Sequence, residues 1–178
     1  MTKILIIGLG RIGYRHLESL VNSNIEIKID CIDNSEQILK NLKTKFTDKI
    51  RLFKDVESID RKYDFLIHST SSDIRLKSLN KILSRSKIRF AILEKLLVQN
   101  LQDLISLRKI GKQFEKCWVN TPMHEWDLYK KLKKNVNISK VSEIQFNYFE
   151  GLACNAIHFI DFISSWKKMI PIKLDTSK

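Results

Sequence analysis

The first 120 residues alternate between short apolar runs and longer stretches whose apolar positions recur at helical spacing. Lys3–Ile7 is a short apolar run, followed by a glycine turn and by Ile12–Val21 with helical periodicity. Ile25–Ile32 is β-branched and partly alternating, the pattern of a second strand. Ser35–Phe46 places Ile38, Leu39, Leu42 and Phe46 on one helical face. Arg51–Phe53 is a weak strand and Asp55–Ile59 a single helical turn. Tyr63–Ser69 reads as a buried strand, and Asp73–Leu83 as an amphipathic helix starting at an Asp cap. Ile88–Leu93 is the fifth strand, Leu101–Phe114 a helix and Cys117–Asn120 a short sixth strand. Strict alternation of strand and helix predicts a parallel sheet with helices on both faces, and right-handed crossovers make a doubly wound α/β fold the economical topology.

After Asn120 the pattern changes. Pro122 breaks the chain, Glu125–Lys134 has helical spacing, and Lys140–Phe149 is the longest strand candidate. Cys154–Trp166 again reads as a helix. The boundary falls near Thr121, giving residues 1–120 as one domain and 121–178 as the start of a second, α+β in character and incomplete.

The turn after the first strand is Gly8-Leu9-Gly10-Arg11-Ile12-Gly13, three of the five glycines in the chain. The first permits a tight turn, the second lets a pyrophosphate approach the backbone, and the third lets the helix lie against the strand. The helix start offers N–H groups and partial positive charge to phosphates, and Arg11 can add a charge-assisted contact. Asp33 stands 20 residues after Gly13 at the end of the second strand, where a carboxylate accepts from an adenosine ribose and repels a 2′-phosphate. That favours NAD over NADP. The plain alternative is a packing turn and a surface aspartate.

Charge changes the picture little. The chain carries 32 Lys+Arg against 20 Asp+Glu, net +12. The excess is spread along the chain, and the densest cluster, Lys130, Lys131, Lys133 and Lys134, reads as a solvated helix face with few aromatics nearby. Nucleic acid is not an expected partner. The N-terminal apolar run is too short to span a membrane. Cys31, Cys117 and Cys154 have neither metal nor disulfide spacing, which points to a reducing, cytoplasmic compartment.

Ligands of doubly wound sheets bind outside the carboxyl ends of the strands. The fourth strand ends in His68-Ser69-Thr70-Ser71-Ser72, either a cofactor wall or a loop and helix cap. The fifth ends at Glu94-Lys95, where a lysine with its pKa lowered by burial can exchange a proton at neutral pH, or where an ordinary strand-end ion pair is solvated. Further on, Asn155, His158 and Asp161 share a helix face, facing either an active site or water.

Together these segments resemble the glucose–fructose oxidoreductase and inositol dehydrogenase (Gfo/Idh/MocA) family of NAD(P)-dependent sugar and polyol dehydrogenases. The resemblance runs from Thr2 to about Trp166. It implies a Rossmann domain holding the cofactor through Gly8, Gly10, Arg11, Ile12, Gly13, Asp33, Thr70 and Ser71, with Glu94 at the nicotinamide ribose. It also implies Lys95 and His158 as proton-transfer and substrate-orienting residues, with Asn155 and Asp161 on the substrate. Gly151–Asp161 looks most like members from surface-polysaccharide gene sets, which act on nucleotide sugars. Two positions depart from the pattern. Leu96 replaces the proline of Glu-Lys-Pro, so a trans bond is expected after Lys95, a cis bond there costing about 2.5–4 kcal/mol. Cys154 replaces the family's catalytic aspartate, and the adjacent Asn155 can bond a hydroxyl but cannot accept its proton.

Family members are much longer, with a second-domain sheet that walls the substrate pocket and often forms a dimer interface. The expectation is therefore an NAD-dependent oxidoreductase type whose turnover is in question because that sheet is short of strands. A homo-oligomer or another partner would complete the sheet. The alternatives are an NAD-binding regulatory module and an inactive remnant of a longer dehydrogenase.

Overall fold

The computed structural model describes residues 1–147 and 155–167. The chain divides into two compact units, Met1–Asn120 and Thr121–Lys178.

The first unit is a six-stranded, wholly parallel sheet in the order β3-β2-β1-β4-β5-β6. Its strands are β1 (Thr2–Ile7), β2 (Ile27–Ile32), β3 (Ile50–Phe53), β4 (Lys62–His68), β5 (Lys87–Leu93) and β6 (Lys116–Val119). The helices between them are α1 (Arg11–Val21), α2 (Glu36–Lys45), α3 (Ser72–Leu83) and α4 (Leu101–Gly111). The expected Rossmann topology is what forms.

Two apolar layers hold it. Successive side chains of a strand point to opposite faces, so β1 sends Ile4 and Ile6 one way and Leu5 and Ile7 the other. Ile4 and Ile6 join Leu17 of α1 and Leu42 of α2; Leu5 and Ile7 join Leu79 and Ile82 of α3 and Leu107 and Ile110 of α4. A strand dry on both sides needs the uninterrupted aliphatic run seen in the sequence. A polar exception inside the sheet is Asp30, buried on β2, whose carboxylate takes two bonds from Arg51, at 2.7 and 2.6 Å, and one from the Tyr63 hydroxyl. Neighbouring Cys31 is inert as a nucleophile, because burial, reinforced by Asp30, pushes its thiol up to about 12.

Caps set two of the helix starts. Ser35 Oγ accepts from the Ile38 N–H at the head of α2, and Asn100 Oδ1 from the Asp103 N–H, 2.8 Å away, at the head of α4. Helix α3 begins at Ser72 with Ser71 in the cap position, two residues earlier than an Asp73 cap would place it. The stretch expected as a helical turn at Asp55–Ile59 forms bends and turns.

The second unit contains a 3₁₀ turn at Pro122–Glu125, α5 (Asp127–Asn135), a second 3₁₀ turn at Ile138–Lys140 and α6 (Ile157–Lys167). The helix expected over Glu125–Lys134 is divided from the first turn by Trp126, whose backbone is extended. Phe162 of α6 is fully buried and packs against Tyr129, with ring centroids 4.7 Å apart, and against Trp166, 5.2 Å away. The strand expected over Lys140–Phe149 does not form through residue 147; residues 148 and 149 lie outside the described residues. Among the described residues of this unit there is no other strand to pair with it, and unpaired strands are unstable in water. Phe146 stacks on Phe159 of α6, with ring centroids 4.3 Å apart.

Candidate functional site

The strand order reverses between β1 and β4, and the residues predicted for a cofactor gather at the carboxyl ends there. Gly8 leaves β1 with φ of 81° while its N–H bonds the Ile32 carbonyl at 3.0 Å. A Cβ on Gly8 would sit 2.9 Å from the backbone of Ser69 and Thr70, and one on Gly13 only 1.8 Å from the Gly8 carbonyl oxygen. These two glycines are demanded by the chain's own packing. Gly10 is different, because a Cβ there would meet nothing within 4 Å. It caps α1 without any side-chain acceptor, so the first-turn N–H groups are not claimed by a cap. Arg11 and Ile12 are exposed beside it. A cleft of about 510 Å³ adjoins the turn, lined by Leu9, Gly10, Arg11 and, further along, Tyr14 and Lys45. A larger cleft, about 850 Å³, lies at the amino ends of the strands around Lys3, Lys62 and Lys87, the wrong end of the sheet for a ligand of this fold.

Asp33 ties the turn to β2. Its Oδ2 accepts from the Leu9 N–H at 2.6 Å and its Oδ1 from the Ser35 N–H at 2.8 Å. Each carboxylate oxygen has a second lone pair, so these bonds leave acceptor capacity for hydroxyls. At the end of β4 the Ser69 N–H bonds the Ile7 carbonyl at 2.7 Å, and the Ser69 hydroxyl is buried beside the glycine turn with no partner among the described residues. An uncapped helix start, open space at Gly10 and an orphaned hydroxyl on the residue that packs against Gly8 and Gly13 suit a pyrophosphate linker. Thr70 Oγ1 lies 3.2 Å from His68 Nδ1 and donates to the Ser71 carbonyl at 3.3 Å. His68 itself is fully buried, with Nε2 3.1 Å from Ser78 Oγ. Burial, aided by the Arg75 charge, pulls its pKa down to about 3, so it is neutral.

At the end of β5, Glu94 is buried, with 5% of its surface exposed. His16 Nε2, from α1, is 2.7 Å from its Oε1, and Asn120 Nδ2, from just beyond β6, donates to the same oxygen at 2.5 Å. Burial opposes the charge on Glu94, but His16, Asn120 and Lys95 outweigh it and hold the carboxyl below its usual value. The bond between Lys95 and Leu96 is cis, where the sequence led to the expectation of trans. The segment is gripped by Arg75 of α3, which is buried and donates to the carbonyls of Leu96, of Leu97 at 3.0 Å and of Thr70 at 2.5 Å. Thr70 and Leu96 are the trailing ends of β4 and β5, so one guanidinium joins both loops.

In the second unit, Asn155 sits in a wide π-type turn leading into α6, and His158 and Asp161 are one turn apart on that helix. Asp161 Oδ2 is 2.7 Å from Nδ1 of His124. Four residues were missed from the sequence as parts of these arrangements: His16, Arg75, Asn120 as a partner of Glu94, and His124. A signal existed for His16. Gly13 must face the sheet, and a residue three positions on shares that face. Arg75 and His124 find their partners across long sequence separations, and no local pattern announces them; Asn120 stands at the carboxyl end of the sixth strand, where ligands of such sheets gather, but its partner Glu94 is 26 positions away.

No family model and no curated protein sequence matches the chain. Solved structures do. The chain aligns with myo-inositol 2-dehydrogenase from Lactobacillus plantarum at a TM-score of 0.77 and 16% identity, covering 96% of this chain and 57% of that one. It has the fold of the inositol dehydrogenases. Scyllo-inositol dehydrogenase from Lactobacillus casei, with bound NAD(H) and scyllo-inositol, gives 0.73 at 19% identity, covering 93% and 56%. Myo-inositol dehydrogenase from Lactobacillus casei, in complex with NAD(H) and myo-inositol, gives 0.73 at 16% identity, covering 94% and 55%. The chain spans little more than half the length of these proteins. Among the described residues no helix is long and apolar enough to cross a membrane, and no group of His, Cys, Asp and Glu could hold a metal ion.

Proposed function

We propose that the chain binds NAD and belongs to an oxidoreductase that acts on a secondary hydroxyl of a sugar, cyclic polyol or nucleotide sugar. The observation that carries this reading is the glycine turn at the switch point: two glycines required by packing, a third with open space above it, and a helix start left uncapped. Asp33 favours NAD, because a 2′-phosphate brought against its carboxylate would be repelled. When bound, the cofactor supplies the hydride acceptor. The chain's own parts are to hold its phosphates at the α1 start, to accept ribose hydroxyls at Asp33 and Glu94, and to wall it with Ser69, Thr70 and Ser71. Lys95 takes the proton of the reacting hydroxyl, and Asn155 and His158 bind the sugar. The inositols in the solved complexes make cyclic polyols the first substrates to try, with nucleotide sugars of surface-polysaccharide synthesis next.

The direct test is titration with NADH, followed by nicotinamide fluorescence. Saturable binding supports the reading, and no binding at millimolar NADH overturns it. A Lys95→Ala variant keeps NADH affinity and loses turnover; equal turnover would remove Lys95 from the chemistry.

A further inference from the structure

Glu94 is held from one side only. Both donors that reach it, His16 and Asn120, converge on Oε1, and among the described residues no hydrogen bond is made to Oε2. Asn120 Nδ2 and His16 Nε2 are 3.5 Å apart. An amide nitrogen only donates, and so does a histidine nitrogen directed at an ionised carboxylate; the two are therefore joint donors to a shared acceptor, not partners of each other. This assigns the hydrogen to Nε2 of His16, whether the ring is neutral or charged. The three side chains come from the first helix, the end of β5 and the end of β6. Neither His16 nor Asn120 has a role in the packing layers described above.

A buried carboxylate with one oxygen pinned by two donors cannot swing, so its other oxygen has a fixed direction. A fixed anionic acceptor suits a neutral polyhydroxyl ligand, whose hydroxyls donate to it, and disfavours a second anion. We propose that His16 and Asn120 are positioning residues that lock Glu94 Oε1 so that Oε2 receives the hydroxyls of the nicotinamide-side ribose. The inference rests on the cofactor reading given above and goes beyond it by assigning the two residues that make Glu94 a ribose acceptor.

The two ends of the dinucleotide allow the test. ADP carries the pyrophosphate and the adenosine ribose but no nicotinamide ribose; NADH carries all of them. Both are titrated by calorimetry against the full chain and against His16→Leu, His16→Gln and Asn120→Ala, with thermal melting of each. His16→Leu weakens NADH about tenfold, the scale of one lost bond to a buried charge, and leaves ADP affinity unchanged. His16→Gln, whose amide can donate to Oε1, recovers most of the NADH affinity. Asn120→Ala gives the same NADH-only loss and serves in place of His16→Leu should that variant not fold. A merely structural role predicts NADH and ADP affinities falling together with the melting temperature, and that outcome overturns the proposal. So does unchanged NADH affinity in both variants. If the unsubstituted chain binds ADP but NADH gains nothing over it, the nicotinamide-side inference fails while phosphate binding survives; if it binds neither, the cofactor reading falls and this inference with it.

Discussion

His124 Nδ1 stands 2.7 Å from Asp161 Oδ2, joining the 3₁₀ turn that opens the second unit to its last described helix. The sequence led to Asp161 as a substrate ligand. In the folded chain one of its oxygens already holds a histidine, so any sugar hydroxyl would have to use its remaining lone pairs. His124→Leu should loosen the packing of Tyr129, Phe162 and Trp166, at a cost of roughly 1 kcal/mol, because the pair is partly exposed and solvent screens it. Near-ultraviolet circular dichroism of the aromatic cluster and urea unfolding would register the change. His124→Gln, which can still donate to Asp161, should lose less; an equal loss would show that ring packing matters more than the bond.

Gly10 and Gly13 should separate folding from ligand binding. A methyl group at Gly13 collides with the Gly8 carbonyl, so Gly13→Ala should lower the melting temperature by several degrees, roughly 4 °C or more. Gly10→Ala adds its methyl to open space in a backbone conformation that alanine adopts readily, so it should melt like the parent chain. The same methyl stands where a pyrophosphate would approach, and NADH affinity should fall about tenfold or more. A Gly10→Ala chain with undiminished affinity would place the phosphates elsewhere.

Arg75 is a buried cation, and its bonds run to three carbonyls in two loops. Arg75→Met keeps much of the volume but leaves those carbonyls without their donor. About 2–4 kcal/mol of stability should be lost in urea unfolding, and amide exchange should quicken in the segment from Glu94 to Val98 before it quickens in β1. Uniform quickening would mean that the arginine supports the sheet as a whole instead of the loops.

Acid should destabilise the first unit in a way that one histidine explains. His68 is held neutral in the fold with its pKa near 3, whereas in the unfolded chain it titrates near 6.5. Between those values the unfolded chain binds a proton that the folded chain refuses, so stability is full above about pH 6.5 and declines as the pH falls towards 3. The slope is about 1.4 kcal/mol per pH unit from this residue alone. Glu94 acts the same way lower down, since its depressed pKa adds stability above the unfolded value of 4.5 that is lost on protonation. Urea midpoints of the parent and of His68→Asn, measured from pH 7 to pH 4, should diverge, with the variant flatter above pH 5.

The sheet was legible in the sequence because burial on both faces leaves little choice of residue: Ile4 to Ile7 form an aliphatic run bounded by a glycine turn, the pattern of a two-sided strand. The glycine turn was legible because φ above zero and a contact at 1.8 Å admit only glycine. What the pattern could not supply were partnerships closed by topology. His16 meets Glu94 across 78 positions and Arg75 meets Leu96 across 21, and each looks locally like a polar residue on a helix. The strand expected over Lys140–Phe149 fails for the complementary reason. Its apolar residues do not alternate strictly, and Phe146 stacks its ring on Phe159 of a helix.

The bond from Leu9 N–H to Asp33 has a consequence for how fast and how cheaply a dinucleotide could dock. Because the end of β2 clamps the loop through its own carboxylate, the cradle acquires its shape during folding, and little freedom is left to surrender on association. Breaking the clamp with Asp33→Ala would therefore do more than remove a ribose acceptor. It would turn a rigid receptor into one that must be moulded by each incoming ligand, visible as a more negative binding entropy for fragments, such as pyrophosphate, that never touch residue 33.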